Sequence, residues 1–115
     1  GDRLRYHIDA DRAPAGTRVP RLAVQTLVEN SVKYAISPRR EGGTVTVRVD
    51  GEHGRVRVSV QDDGPGFDAA ALPEGHGLML LRSRLSMLFG NRAALAIDGR
   101  PGAVRVTIEM PGGQQ

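Results

Sequence analysis

The sequence contains no cysteine, which excludes disulfide staples and thiolate metal sites. Aromatic residues make up only 3% of the chain, too few for a platform on which single-stranded nucleic acid would stack. Lysine is almost missing. Lys33 is the sole example, so arginine carries the net charge of +3 and the pI of about 10.2. No basic run exceeds Arg39–Arg40, and the basic balance reads as a solvated surface with no nucleic-acid partner. No stretch is long and apolar enough to span a membrane as a helix, and none has the form of a secretory signal. The three histidines, His7, His53 and His76, are scattered and form no ligand cluster.

What is present is regular. The 115 residues suffice for one domain with one core, spanning 1–115. The first residues, "RLRYHID", already lie inside an alternating pattern, so the chain is expected to be part of a longer protein. Leu4, Tyr6 and Ile8 alternate with Arg3, Arg5, His7 and Asp9. The same period of two recurs at Val45, Val47 and Val49, at Val56, Val58 and Val60, and at Val104, Val106 and Ile108. Leu95 and Ile97 form a shorter fifth candidate. Such alternation predicts a sheet covered on one face and wet on the other, with the strand arginines on the wet side. "DGEHG", Asp50–Gly54, is the expected hairpin turn.

Two segments have helical periodicity. In Val19–Ile36, Pro20 suits a first turn, and Val24, Leu27, Val28, Val32 and Ala35 form an apolar stripe that includes Ser31. In Gly77–Gly90, the predicted buried side is Leu78, Leu81, Leu85 and Leu88, with Gly90 as a stop. A long loop, "DDGPGFDAAALPEGHG", precedes the second helix. The order strand, helix, two strands, loop, helix, two strands predicts an α+β fold. It is a two-layer sandwich with helices on one face of a mixed, mostly antiparallel sheet of about five strands.

The first helix carries more than a stripe. At about 100° per residue, Thr26, Asn30, Lys33 and Tyr34 fall within about a quarter-turn of one another. Together they offer an oxygen ligand, a cation and an aromatic plate. An ordinary polar flank would produce the same neighbours. "DDGPGF" and "GHG" are, separately, common turn sequences, although glycines ahead of a helix also leave backbone N–H groups that suit phosphate. The informative feature is their order: an Asn-bearing helix, a hairpin, D-x-G-x-G at a strand end, a loop, and G-x-G at a helix start.

That order resembles the ATP-binding catalytic domain of sensor histidine kinases, within the gyrase, HSP90, histidine-kinase and MutL ATPase superfamily. "LVENSVKYAI" is similar to the N box, "DDGPGF" to the first glycine box and "GHGLMLLRSRL" to the second. The leading segment and short loop are most similar to the LytS/YehU type. The resemblance implies a Bergerat-type ATP-binding fold with ATP and Mg²⁺ as cofactors. It implies that Asp62 accepts a hydrogen bond from the exocyclic amine of adenine while Gly64 and Gly66 make room for the base. It makes Asp63 a turn residue. Asn30 is implied as the metal ligand, Lys33 lies near the phosphates, and these two are the catalytic pair. Tyr34 packs near the nucleoside. Gly75, Gly77 and Leu78 open the second helix beside the phosphates, under a mobile lid at approximately Phe67–His76.

Hydrolysing members of the superfamily have a catalytic Glu one turn before the Asn, and here that position is Thr26. A water-activating base is therefore missing from that place. Glu29 points about 100° away from Asn30 on a helix, so its role stays open. Ala103 stands where relatives often carry Thr or Ser, and Tyr34 where many LytS-like N boxes have His. The resemblance implies transfer of the γ-phosphoryl group to a histidine on a separate dimerisation and phosphoacceptor domain, with a response regulator downstream. It implies a dimeric, membrane-attached full-length kinase whose ATP-binding domain is cytoplasmic. Residues of the lid and second helix, such as Arg82, are candidate contacts to the acceptor domain. An anti-sigma-type serine kinase, a non-catalytic nucleotide-binding module and a salt-sensitive nucleic-acid binder are the alternatives.

Overall fold

The computed structural model describes residues 4–12, 21–36 and 42–112. The start predicted for the first helix, at Val19 and Pro20, lies outside the described residues, as does the Arg39–Arg40 pair. So do the side chains of Tyr6 and Ala35.

The elements follow the predicted order. Strand β1 is Leu4–Arg12, and helix α1, Arg21–Ser31, continues into a wider π turn at Val32–Ile36. Strands β2, Gly43–Glu52, and β3, Arg55–Asp62, precede a loop containing one 3₁₀ turn at Ala69–Ala71. Helix α2, Gly77–Phe89, leads to β4, Ala94–Asp98, and β5, Val104–Pro111. The five strands lie in the order β1-β2-β3-β5-β4, with β1 parallel to β2 and every other pair antiparallel.

The β2–β3 connection is tighter than "DGEHG" implies. Both strands continue to Glu52 and Arg55, leaving His53 and Gly54 as a two-residue turn, each with positive φ. Two positive φ values in succession match the right-handed twist of the flanking strands.

Period two builds the core. On β3, Val56, Val58 and Val60 are buried and meet Met110, Ile108 and Val106 on β5. Helix α1 packs on β2 and β3 through Ala23 and Leu27, and α2 packs on α1 and β4 through Leu78, Leu81 and Leu85. The opposite face of the sheet is wet. There the register sets Arg57 beside Glu109, to which it donates at 3.2 and 3.0 Å, and Arg105 beside Gln61, to which it donates at 3.1 and 2.6 Å.

Two apolar positions depart from the predicted pattern. Ile8 is 68% exposed, because β1 is the edge strand and the helices lie over β2, β3 and β4. Leu88 is 63% exposed. Near its end the buried side of α2 passes to Phe89, which packs partly against the core, and Gly90 stops the helix at a φ of 60°.

These placements set a stability contrast. Leu27 is wholly buried, so Leu27→Ala should cost about 3 kcal/mol through lost transfer energy and a residual cavity. Leu88→Ala should stay within about 0.5 kcal/mol of wild type. Urea unfolding midpoints at unchanged slope test this, and equal midpoints would contradict the burial pattern.

Candidate functional site

The inward row of β3 does not end in another valine. Its next position is Asp62, paired with Val45 on β2 and Val104 on β5, and 3% exposed. A buried carboxylate needs donors. One comes from its own turn: Gly64 N donates to Asp62 Oδ1 at 2.9 Å, closing an Asx turn. Among the described residues the structure gives the second carboxylate oxygen no hydrogen-bond partner. Asp63 is more than a turn residue, because its Oδ1 accepts from Thr44 N at 3.1 Å and ties the loop to β2.

Beyond Asp62 the chain interlocks with the β4–β5 turn. Gly102 N donates to Gly64 O at 2.8 Å, and Phe67 N donates to Gly99 O at 3.0 Å. Gly66 sits between these bonds with φ +83°. A Cβ there would collide with Gly99 O and lie 2.9 Å from Pro101 N. Glycine is therefore required at 66 for two reasons, backbone conformation and lack of space.

Facing Asp62 is a cavity of about 290 Å³ lined by Asn30, Tyr34, Asp62, Gly66, Phe67 and His76, with Pro65, Leu72 and Val104 completing the wall. That volume lies at the lower edge of the ~300–1,000 Å³ usual for small-molecule sites. It suits a planar heterocycle better than a whole nucleotide. Asn30 projects from the last full turn of α1. It is 8% exposed, and no hydrogen bond holds its side-chain amide among the described residues. Among the described residues no fully buried side-chain nitrogen or oxygen lacks a partner, so the Asn30 amide opens onto the cavity, where a ligand can reach it. Its carbonyl oxygen also suits a hard cation. Among the described residues no group of three or more His, Cys, Asp or Glu could hold a metal, so Mg²⁺ would need oxygens that arrive with a ligand.

The remaining predicted residues surround this cavity to different degrees. Tyr34 lines it from the middle of the π turn, which re-phases the helix after Ser31, and its ring lies 5.2 Å from that of His76 with a 30° tilt. Lys33 is exposed, with Nζ 5.2 Å from the Tyr34 ring centroid, and does not line the cavity. Gly75 and Gly77 flank His76 outside the cavity wall, and Leu78 is a core residue whose backbone N–H donates to His76 Nδ1 at 3.1 Å. A Cβ on Gly75 would meet nothing within 4 Å. Sequence reasoning missed Phe67, Leu72, His76 and Val104 as wall residues. Val104 was accessible as the first inward position of β5. Phe67 and Leu72, the two large apolar residues of that loop, were also a usable signal.

Thr26 and Glu29 belong elsewhere. Both line a separate groove of about 730 Å³ between the helices, with Gly77, Leu80, Arg84 and Leu88. Gln25 Nε2 donates to Glu29 Oε2 at 3.4 Å. Arg82 anchors α2 to β4, donating to Leu95 O at 3.0 Å.

The family model described as "Histidine kinase-, DNA gyrase B-, and HSP90-like ATPase" matches residues 16–114. The chain belongs to that family. It is 30% identical over 115 residues to the sensor histidine kinase YesM of Bacillus subtilis, covering 96% of this chain and 20% of YesM. It is 30% identical over 122 residues to the sensor protein LytS of Staphylococcus epidermidis, covering 96% of this chain and 21% of LytS. The chain thus spans about a fifth of the length of these curated relatives. A solved structure of full-length ShkA in complex with AMPPNP superimposes with a TM-score of 0.71 at 26% identity, over 97% of this chain and 26% of that one.

The two glycines allow a direct check on the loop. Gly66→Ala should destabilise by about 1–3 kcal/mol, since both dihedral and space are wrong. Gly75→Ala should remain within about 0.5 kcal/mol. Thermal unfolding of the pair measures the difference, and a Gly66→Ala protein as stable as wild type would refute the interlock.

Proposed function

We propose that this chain is the catalytic domain of a sensor histidine kinase, which binds Mg-ATP and donates the γ-phosphoryl group to a histidine on a separate phosphoacceptor domain. The observation that carries this reading is the convergence of Asp62 and Asn30 on one small cavity. Asp62 offers an acceptor oxygen at the end walled by Val104 and Gly66, where the exocyclic amine of adenine can donate. Tyr34, Phe67 and Leu72 supply apolar walls for the base and sugar. The triphosphate then extends past Asn30 toward Lys33 and the start of α2.

Asn30 would offer Mg²⁺ an oxygen from the protein, and the ion would supply charge neutralisation. Lys33 adds a mobile cation at the same end. In the transfer the bond between the γ-phosphorus and its bridging oxygen breaks, a phosphorus–nitrogen bond forms on the acceptor imidazole, and ADP leaves. Such transfer depends chiefly on positioning and electrostatics. His7, on the edge strand, and His53, in a hairpin turn, do not line the cavity, and His76, which does, already accepts from Leu78 N through Nδ1, so the acceptor is assigned to another domain. The likeness to the sensor kinases YesM and LytS and to ShkA, solved with AMPPNP, supports the kinase assignment. From that assignment we infer a response regulator as partner and a dimeric, membrane-attached parent protein. Among the described residues no helix is long and apolar enough to cross a membrane. The domain is assigned to the cytoplasm, where ATP is available.

Calorimetry with ATP, with and without Mg²⁺, tests the assignment. Asp62→Ala should weaken binding about tenfold or more under both conditions, as expected for a lost hydrogen bond to a charged group. Asn30→Ala should mainly abolish the dependence on Mg²⁺. Equal affinities in all three proteins would defeat the proposal.

A further inference from the structure

His76 is the residue on which three parts of the site meet, and the function above assigns it nothing. It precedes the first residue of α2, where a side-chain acceptor can satisfy one of the open amides of the helix. Its Nδ1 accepts from Leu78 N at 3.1 Å. A ring nitrogen that accepts carries no proton, so the proton of the neutral ring is on Nε2. The ring also lies against Tyr34 and forms part of the cavity wall shared with Asn30 and Asp62. Histidine is not among the preferred residues at this position, where Ser, Thr, Asp and Asn dominate.

The Leu78 amide is thus engaged at the end of the cavity toward which phosphates would extend. A second feature marks the cavity as a ligand site: the Asn30 amide, on a residue 8% exposed and unpaired among the described residues, opens into it. We propose that His76 is an internal competitor for the phosphates of the nucleotide. Its imidazole caps α2 in the free protein, and a phosphate oxygen displaces it when nucleotide binds. A charged phosphate oxygen makes the stronger, charge-assisted bond and interacts favourably with the helix dipole, so the exchange proceeds toward the bound state. The displaced cap reduces the affinity gained from the phosphates and leaves the gain from the base unchanged. His76 therefore sets how strongly the site prefers a nucleoside triphosphate to the bare nucleoside. This inference rests on the nucleotide reading of the cavity.

NMR titration of the 115-residue chain with ATP and with adenosine tests it, using wild type, His76→Ala and His76→Asn. The ratio of ATP to adenosine affinity cancels any loss of ring packing against the base. It should rise roughly five-fold in His76→Ala, the factor corresponding to a typical N-cap. It should stay near wild type in His76→Asn, because asparagine also caps. In the absence of ligand, exchange of the Leu78 amide should be faster in His76→Ala than in wild type, and ATP should restore its protection. An unchanged or lower ratio in His76→Ala overturns the role given to His76, as does a rise in both variants or an equally protected Leu78 amide. Wild type that binds neither ligand removes the nucleotide reading itself. That result is distinct from wild type that binds both while the ratio stays fixed.

Discussion

A carboxylate on the core-facing side of a central strand must find donors where its strand neighbours have none. Asp62 meets that constraint after three inward valines, flanked by β2 on one side and β5 on the other. Its own turn supplies one donor through Gly64, which leaves the other oxygen to the cavity. The surrounding loop maintains this arrangement. Asp63 fastens it to β2, and Gly64 and Phe67 fasten it to the β4–β5 turn. The absence of a side chain at Gly66 lets those two segments close. Among the described residues no second donor reaches the carboxylate, which leaves its other oxygen to a molecule entering the hollow.

Helix α1 serves two spaces with its two flanks. Leu27 and Ser31 anchor it to the core, Asn30 faces the cavity beside β3, and Thr26 and Glu29 face the groove beside α2. The π turn after Ser31 is where the helix departs from regular phase. Such turns often occur at functional sites because they redirect side chains without ending the helix. Here the turn carries Tyr34 to the cavity wall and leaves Lys33 in solvent above its ring.

The strands were legible because a half-covered sheet writes its burial as strict alternation, and Val45 through Val60 follow it. The rule failed at Ile8 because alternation records which way a residue points, while exposure depends on whether a helix reaches that strand. It failed at Leu88 because a helical stripe does not say where along a helix the partner layer ends. Asn30 and Asp62 could be identified as chemical outliers in apolar rows, and the order of the motifs linked them. In the sequence His76 reads as the last residue of the expected lid. Its role depends on Tyr34, 42 residues earlier in the chain, and on the backbone of its own helix, and neither contact follows a sequence period. The predicted lid segment likewise proved to be partly wall, since Phe67 and Leu72 pack against the core while Asp68 caps the short 3₁₀ turn between them.

The same geometry separates phosphoryl transfer from hydrolysis. A general base must come within hydrogen-bonding reach of the attacking water. Asp62 is the only carboxylate lining the cavity among the described residues. It lies on the strand side and is already bonded to Gly64. On the proposed reading it holds the purine, the part of the nucleotide farthest from the γ-phosphorus. Glu29 faces the other groove, and Thr26, one turn before Asn30, offers a hydroxyl in place of a carboxylate. On the proposed reading such a site would orient a triphosphate while, among the described residues, placing no carboxylate where it could activate water. The proposed nucleophile then arrives from elsewhere, as the nitrogen of an acceptor imidazole. On that reading the missing carboxylate and the separate acceptor domain are two sides of one arrangement.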